Sequence, residues 1–267
     1  MERINWHRLF GLLLADFFTD SPFIVELEKD LSIKKQSLDV VVLRKRPGRF
    51  SGKLPDGLDN LSKHNLITFK SHQESLDDWA LKELTAHYVN YRKQASPSFD
   101  KLLPEQTFRL YAVCSRFPRA LANSKDWKPV QDGVFELLRG TDQIRVLVLG
   151  QLPNEEHNAV LHLLSASPEK IRYGAGHYQK HSAETSTLLD RVFIGYQREG
   201  LDMPYTMEDF RQDYLRASIK ELLPEQRSKL LENLTPQERL EGLLPEEIDA
   251  YLKRLNQSPP AKKRTKK

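Results

Sequence analysis

The apolar positions of the chain change period several times, and each change marks an element. Trp6, Leu9, Phe10, Leu13 and Phe17 recur at spacings of three and four within 4–18, which predicts a helix ended by Ser21-Pro22. Residues 23–29 then alternate, with Phe23, Val25 and Leu27 on one side and Ile24, Glu26 and Glu28 on the other. A second strand at 38–44 (LDVVVLR) is β-branched and reads as buried on both faces. The connection DLSIKKQS between these two is able to close a hairpin. The stretch 44–63, rich in Gly, Pro and basic residues, is a loop or a ragged hairpin. A third strand follows at 65–71 (NLITFKS), then a helix from about 75 to 93. Its predicted covered side holds Trp79, Leu81, Leu84, His87, Tyr88 and Tyr91, and its wet side Lys82, Glu83, Arg92 and Lys93. Further strands are expected at 110–117, 133–138 and 143–150, the last two joined by a turn at Arg139-Gly140-Thr141. Residues 154–166 read as a helix with Asn154 able to cap it.

From 184 onward the pattern is helical throughout. Pro224, Pro236 and Pro245 each begin a short leucine-rich segment, and Thr235 is a good N-cap. Residues 258–267 have no large apolar side chain and are expected to be disordered. The order of elements predicts an α/β or α+β core around a central mixed sheet.

Composition narrows this picture. The formal charge is +4, but Lys262, Lys263, Arg264, Lys266 and Lys267 supply five positive charges in the last seven residues. Without them the balance is 36 basic against 37 acidic residues, so the basicity is local and does not define a nucleic-acid-binding face. An apolar fraction of 39% supports a real core. Cys114 is the only cysteine, so no internal disulfide can form; with no leader-like start, a reducing, cytoplasmic setting is expected. The most apolar early stretch, 9–18, is ten residues long and contains Asp16, too short to span a bilayer, so no membrane association is expected.

Two polar residues stand in apolar strands: Asp39 at the start of LDVVV and Lys70 at the end of LITFK. A carboxylate and a lysine on neighbouring strands are costly unless they are paired or used. The bland reading is a cross-strand ion pair. The other reading begins with the segments FIVELEKDLSIKKQSLDVVVLRK (23–45) and NLITFKSHQESLDDWALKEL (65–84). Together they resemble the PD-(D/E)XK nuclease superfamily, more narrowly the bacterial recombination-promoting nucleases and YhgA-like transposases. The resemblance implies a restriction-endonuclease-like fold: a central mixed sheet flanked by helices over about 1–170, a helical region at 171–257 and a basic tail at 258–267. It also implies a Mg²⁺- or Mn²⁺-dependent DNA endonuclease in which Asp39 binds metal and Lys70 positions the attacking water. Where the family pattern has Glu two positions before that lysine, this chain has Thr68, whose neutral hydroxyl cannot replace a carboxylate charge on Mg²⁺. Glu26, Glu28 or Glu74 would then complete the metal site, with Asp77 and Glu83 further candidates. The rival is an inactive nuclease fold that binds nucleic acid or a protein partner, including a second copy of the chain.

Other signals are weaker. His177, His181 and Glu184 have helical ligand spacing in what reads as a solvated polar loop, and Gly174-Ala175-Gly176 reads as a plain turn. His157 and His162, five apart, do not share a helix face. Cys114 reads as a small core residue. The basic loop Arg44, Lys45, Arg46, Arg49 and Lys53 follows the Asp39 strand directly and is a candidate phosphate-binding segment, or else a solvated loop.

Overall fold

In a computed structural model of the chain, residues 5–30, 37–48, 50–179 and 185–201 are described, with a few isolated positions beyond. The chain divides into two compact units, Met1–Tyr214 and Leu215–Lys267. Every element below belongs to the first unit, so the α/β core continues past residue 170, where the sequence placed its end. Of the second unit, Glu225, Gln226, Ile248 and Asp249 are helical. Most of its leucine-rich segments and the basic tail lie outside the described residues, as do Arg49, His181 and Glu184.

The sheet has seven strands: β1 (Phe23–Asp30), β2 (Ser37–Arg44), β3 (His64–Lys70), β4 (Phe108–Cys114), β5 (Trp127–Gln131), β6 (Val134–Arg139) and β7 (Asp142–Val148). Their spatial order is β1-β2-β3-β4-β7-β6-β5. The β3-β4-β7 centre is parallel, and antiparallel pairs flank it on both sides. This is the expected mixed sheet. Helix α2 (Asp78–Ala95) lies in the crossover from β3 to β4 that a parallel pair requires.

Alternation along the central strands gives the sheet two buried faces. Val40, Val42, Ile67, Phe69, Tyr111 and Val113 face one core together with α1 (Trp6–Phe17), α4 (Ala159–His162), α5 (Pro168–His177) and α6 (Thr185–Arg198). Val41, Leu43, Leu66, Leu110, Ala112 and Cys114 face the other core with α2. A short helix α3 (Arg119–Ala122) follows β4. Gly11 lets α1 lie against the sheet, since a Cβ there would sit 2.8 Å from Leu27 Cδ2. Among the described residues no helix is long and apolar enough to cross a membrane.

Three local expectations change. Trp79 is not on the covered side of α2; it is 67% exposed, and its indole N–H donates to Glu83 on the next turn. The predicted helix at 154–166 is reduced to a 3-10 turn at Glu156–Asn158 and the short α4. Gly174-Ala175-Gly176 is not a turn but part of α5, where Gly174 and Ala175 are buried. A Cβ on Gly174 would lie 2.7 Å from the Ala159 carbonyl oxygen, so the missing side chain lets α5 pack tightly on α4. Gly174→Ala is therefore expected to destabilise the chain by about 1–3 kcal/mol, read by denaturant unfolding, because backbone cannot yield cheaply; an unchanged midpoint would contradict this close packing.

Candidate functional site

The carboxyl ends of parallel β3 and β4 and the amino end of antiparallel β2 share one edge of the sheet. In open α/β sheets the strands' carboxyl edge is where loops gather polar groups into a cleft. Here that edge collects Asp39, Thr68 and Lys70 from the strands, Ser71, His72 and Glu74 from the β3–α2 loop, His87 from α2 and His7 from α1.

The β2–β3 ladder runs from Leu43↔His64 to Val40↔Ile67 and no further. Beyond it the Asp39 carboxylate takes over the bonding. Its Oδ2 accepts from the Phe69 backbone N–H at 2.8 Å and from the Thr68 hydroxyl at 3.0 Å. Its Oδ1 meets His7 Nδ1 at 2.8 Å, an ion-pair contact short of straight hydrogen-bond alignment. On the far side of the ring, His7 Nε2 is 3.0 Å from Glu74 Oε2. That oxygen also accepts from the Ser71 hydroxyl at 3.2 Å and more weakly from the Ser71 N–H at 3.4 Å. Glu74, absent from the strand motif, is thus the second carboxylate of the site, brought in by the loop.

Helix α1 aims the imidazole. Asn5 caps it by accepting from the Arg8 N–H. Phe10 stacks on Phe69 at 4.6 Å between ring centroids, and Trp6 donates through its indole N–H to Glu199 at 2.8 Å. With residues 6 and 10 anchored, residue 7 is directed to the end of β3, and its ring meets Phe69 edge-on at 6.1 Å.

The electrostatics follow this geometry. Burial pushes the His7 imidazole down, but the hydrogen bonds and charges of Asp39 and Glu74 outweigh it and hold the ring at about 9, above its ordinary 6.5. Glu74 is lowered to about 2, first by its bond to His7 against an opposing burial effect, with the His7 and Lys70 charges assisting. Burial lowers His87, and its Nδ1 is enclosed with no hydrogen-bond partner. His72 is also lowered by burial, while its Nε2 lies 2.9 Å from Glu199 Oε2.

The remaining candidates lie elsewhere or have other tasks. Lys70 is half-buried at the mouth, near enough to Glu74 to act on its charge, but makes no ion pair with Asp39. The cross-strand ion pair of the bland reading is therefore not what occupies Asp39; His7 is. Glu26 pairs in register with Val41, two residues along β2 from Asp39. The backbone of Glu28 falls between the pairs Leu27↔Val40 and Lys29↔Leu38, while its side chain is outside the described part. Asp77 caps α2 by accepting from the Ala80 N–H. Glu83 accepts from Trp79 at the surface. Cys114 is a core residue, its thiol pushed up to about 12 by burial. His157 and His162 are structural: the first holds Asp56 at 3.0 Å and the second the Pro153 carbonyl at 2.9 Å.

The basic loop is at the wrong end of the sheet for this site. Arg44 is five residue steps along the strand from Asp39, about 17 Å at the usual rise. Arg44 lies over the Phe23 ring at 5.1 Å, Arg46 donates to the Asp20 and Ser21 carbonyls, and Lys53 is 3.8 Å from Asp56. Lys45 is exposed. The basic side chain beside the site is instead Arg116, just past β4, which donates to the His72 carbonyl.

The Mg²⁺ that the nuclease resemblance implies does not fit these residues as arranged. Asp39 Oδ1 and Glu74 Oε2 each lie against a nitrogen of the same imidazole ring, so the space an ion bridging them would need is filled by His7. Among the described residues no group of three or more His, Cys, Asp and Glu side chains could hold a metal ion.

No family model, curated protein or solved structure matches the chain. The case for function therefore rests on this site and on the motif resemblance.

Proposed function

We propose that this chain is a nuclease-like protein that binds nucleic acid at the carboxyl edge of β3 and β4 without metal-dependent cleavage. The observation that carries the reading is the occupation of Asp39. In a cutting site its carboxylate would be open to an ion; here both oxygens are engaged by Thr68, Phe69 and His7. Lys70 lies half-buried at the mouth of the site and Arg116 donates to the His72 carbonyl; neither is ion-paired to a carboxylate among the described residues, and both can meet backbone phosphates.

The test is a paired one. Supercoiled plasmid incubated with Mg²⁺ or Mn²⁺ should remain uncut, while fluorescence anisotropy should report salt-sensitive binding of a DNA duplex. Reversing both charges (Lys70→Glu with Arg116→Glu) should weaken binding roughly tenfold or more and reduce the salt slope by about 2, as loss of two phosphate contacts requires. Lys45→Glu, at the opposite end of β2, should leave both unchanged. Equal loss from Lys45→Glu would move the binding surface to the basic loop and overturn this placement.

A second reading, an active Mg²⁺-dependent endonuclease, is favoured by one observation: Glu74 supplies a second carboxylate where Thr68 does not. Plasmid nicking by the native chain that disappears in Asp39→Ala would establish it in place of the first.

A further inference from the structure

The loop that joins β2 to β3 carries basic residues that the Asp39 site does not use, and it borders a cleft of about 530 Å³. Small-molecule sites run from roughly 300 to 1,000 Å³ and combine an apolar lining with a few placed polar groups. This cleft has both. Phe23, Phe50, Leu54 and Leu61 form its apolar side, and Arg44 and Lys53 its cationic side. None of these residues belongs to the Asp39 site.

The apolar side is built into the core. Phe50, Leu54 and Leu61 pack against the core on the α1 face of the sheet but stay partly exposed. Phe50 stacks on Phe17 at 5.1 Å between ring centroids, and Phe18 meets Phe17 edge-on at 5.1 Å and Phe23 at 5.4 Å. These rings fix one another, so a flat ligand ring meets a surface that is already formed, and little ordering opposes its binding.

The cations are available. Alternation along β2 puts Arg44 on the face of Val40 and Val42, where its guanidinium lies over the Phe23 ring at 5.1 Å. An aromatic face holds the group without consuming its N–H donors. The Arg44 side chain makes no hydrogen bond or ion pair among the described residues. Lys53 is 70% exposed and no nearer than 3.8 Å to Asp56. The two acids of the cleft are engaged by other partners: Asp56 by His157 and Asn158, and Asp59 by Arg145 at 2.9 Å. The charge left open to a ligand is therefore positive. Gln131 adds an exposed amide that both donates and accepts.

Two cations suit a phosphate monoester, which carries about −1.5 to −2 charge at pH 7, and an amide suits the polar edge of a base. We infer that this cleft binds a nucleoside monophosphate, with its base on Phe50, Leu54 and Leu61 and its phosphate at Arg44 and Lys53.

Adenosine monophosphate is titrated into the full chain and followed by calorimetry, with adenosine and inorganic phosphate as separate probes. The nucleotide should bind at one saturable site, and each fragment at least roughly tenfold more weakly, because each keeps only part of the recognition. In methyl NMR of the native chain, the Leu54 and Leu61 signals should shift as the nucleotide is added. Arg44→Glu with Lys53→Glu should weaken binding roughly tenfold or more. Both side chains are exposed, so the fold should hold. Lys45→Glu, beside a different cavity, should leave the affinity unchanged, and so should Lys70→Glu with Arg116→Glu.

No saturable binding of adenosine monophosphate by the native chain would overturn the inference, and so would adenosine that binds as tightly as the nucleotide. Equal loss in Lys45→Glu would remove the phosphate from this cleft, and loss in Lys70→Glu with Arg116→Glu would place the nucleotide at the Asp39 edge; either result overturns it too. A failure of duplex binding would overturn the proposed function and leave these nucleotide results standing, so the two claims fail separately.

Discussion

Asp39→Ala is expected to lower the stability of the chain by about 3 kcal/mol, among the largest effects of any polar substitution in the described region. The carboxylate accepts from two donors, the Phe69 N–H where the β2–β3 ladder stops and the Thr68 hydroxyl, and its second oxygen lies in ion-pair contact with the His7 ring. Breaking a buried pair by removing one partner costs about 3–5 kcal/mol, because the remaining charge and donors lose their compensation. The lower end applies here, since the Asp39 side chain is 17% exposed and water can reach part of the gap. Asp39→Asn separates the contributions: its amide oxygen still accepts from Phe69, but it brings no charge to His7. It should recover roughly half of the loss. Urea denaturation of the three proteins measures this directly. An Asp39→Ala midpoint within error of the native one would mean that the carboxylate is solvated and the described cluster does not exist.

The second large effect is a dependence of stability on pH. His7 is raised from 6.5 to about 9 in the folded chain. Its contribution is therefore fully present below pH 6.5 and is lost as pH rises through about 9. Glu74 is lowered from 4.5 to about 2, so its contribution is present above 4.5 and lost as pH falls through about 2. The plateau of stability from this pair should lie between about pH 4.5 and 6.5. The decline on the alkaline side should total about 2–3 kcal/mol, allowing for solvent screening of a ring that is 27% exposed. The two shifts share one interaction, so they are not added. Thermal melts of the native chain and of His7→Gln across this range isolate the contribution. The variant should lack the decline from pH 6.5 to 9, and equal slopes in the two proteins would refute the assignment.

Much of the fold could be read from the periodicity. The switch from helical spacing at Trp6–Phe17 to alternation at Phe23–Leu27 and then to the β-branched run Val40–Val42 marks α1, β1 and β2, because burial on one stripe, one face or two faces leaves different patterns. Strand β5 left no such trace: WKPVQ is an edge strand with Pro129 in it and no buried residue, so nothing alternates. Helix α5 was hidden by the glycine that its contact with α4 demands. Trp79 was misplaced because spacing alone cannot distinguish a covered aromatic from one that lies along the helix surface on a neighbouring carboxylate.

The site was legible in its strand residues and illegible in its closure. Asp39, Lys70 and the departure at Thr68 lie on two neighbouring strands, where a motif can record them. Glu74 was one of several carboxylates that spacing could not rank. His7 could not be found this way at all. Helical spacing sets it on the face of Phe10, but its partner Glu74 is 67 residues away, and only the packing of α1 on Phe69 joins them. The basic loop shows the converse error. Closeness in sequence to Asp39 suggested a shared site, yet an extended strand carries the chain to the other edge of the sheet within five residues.

His7 lies between the Asp39 and Glu74 carboxylates and bears their charge. Nitrogen-15 NMR of the His7 ring in the full-length chain, taken near neutral pH with and without Mg²⁺, tests it most directly. Two protonated ring nitrogens, titration near pH 9 and signals indifferent to Mg²⁺ are expected. A neutral ring titrating near 6.5, or one whose signals shift when Mg²⁺ is added, would contradict it.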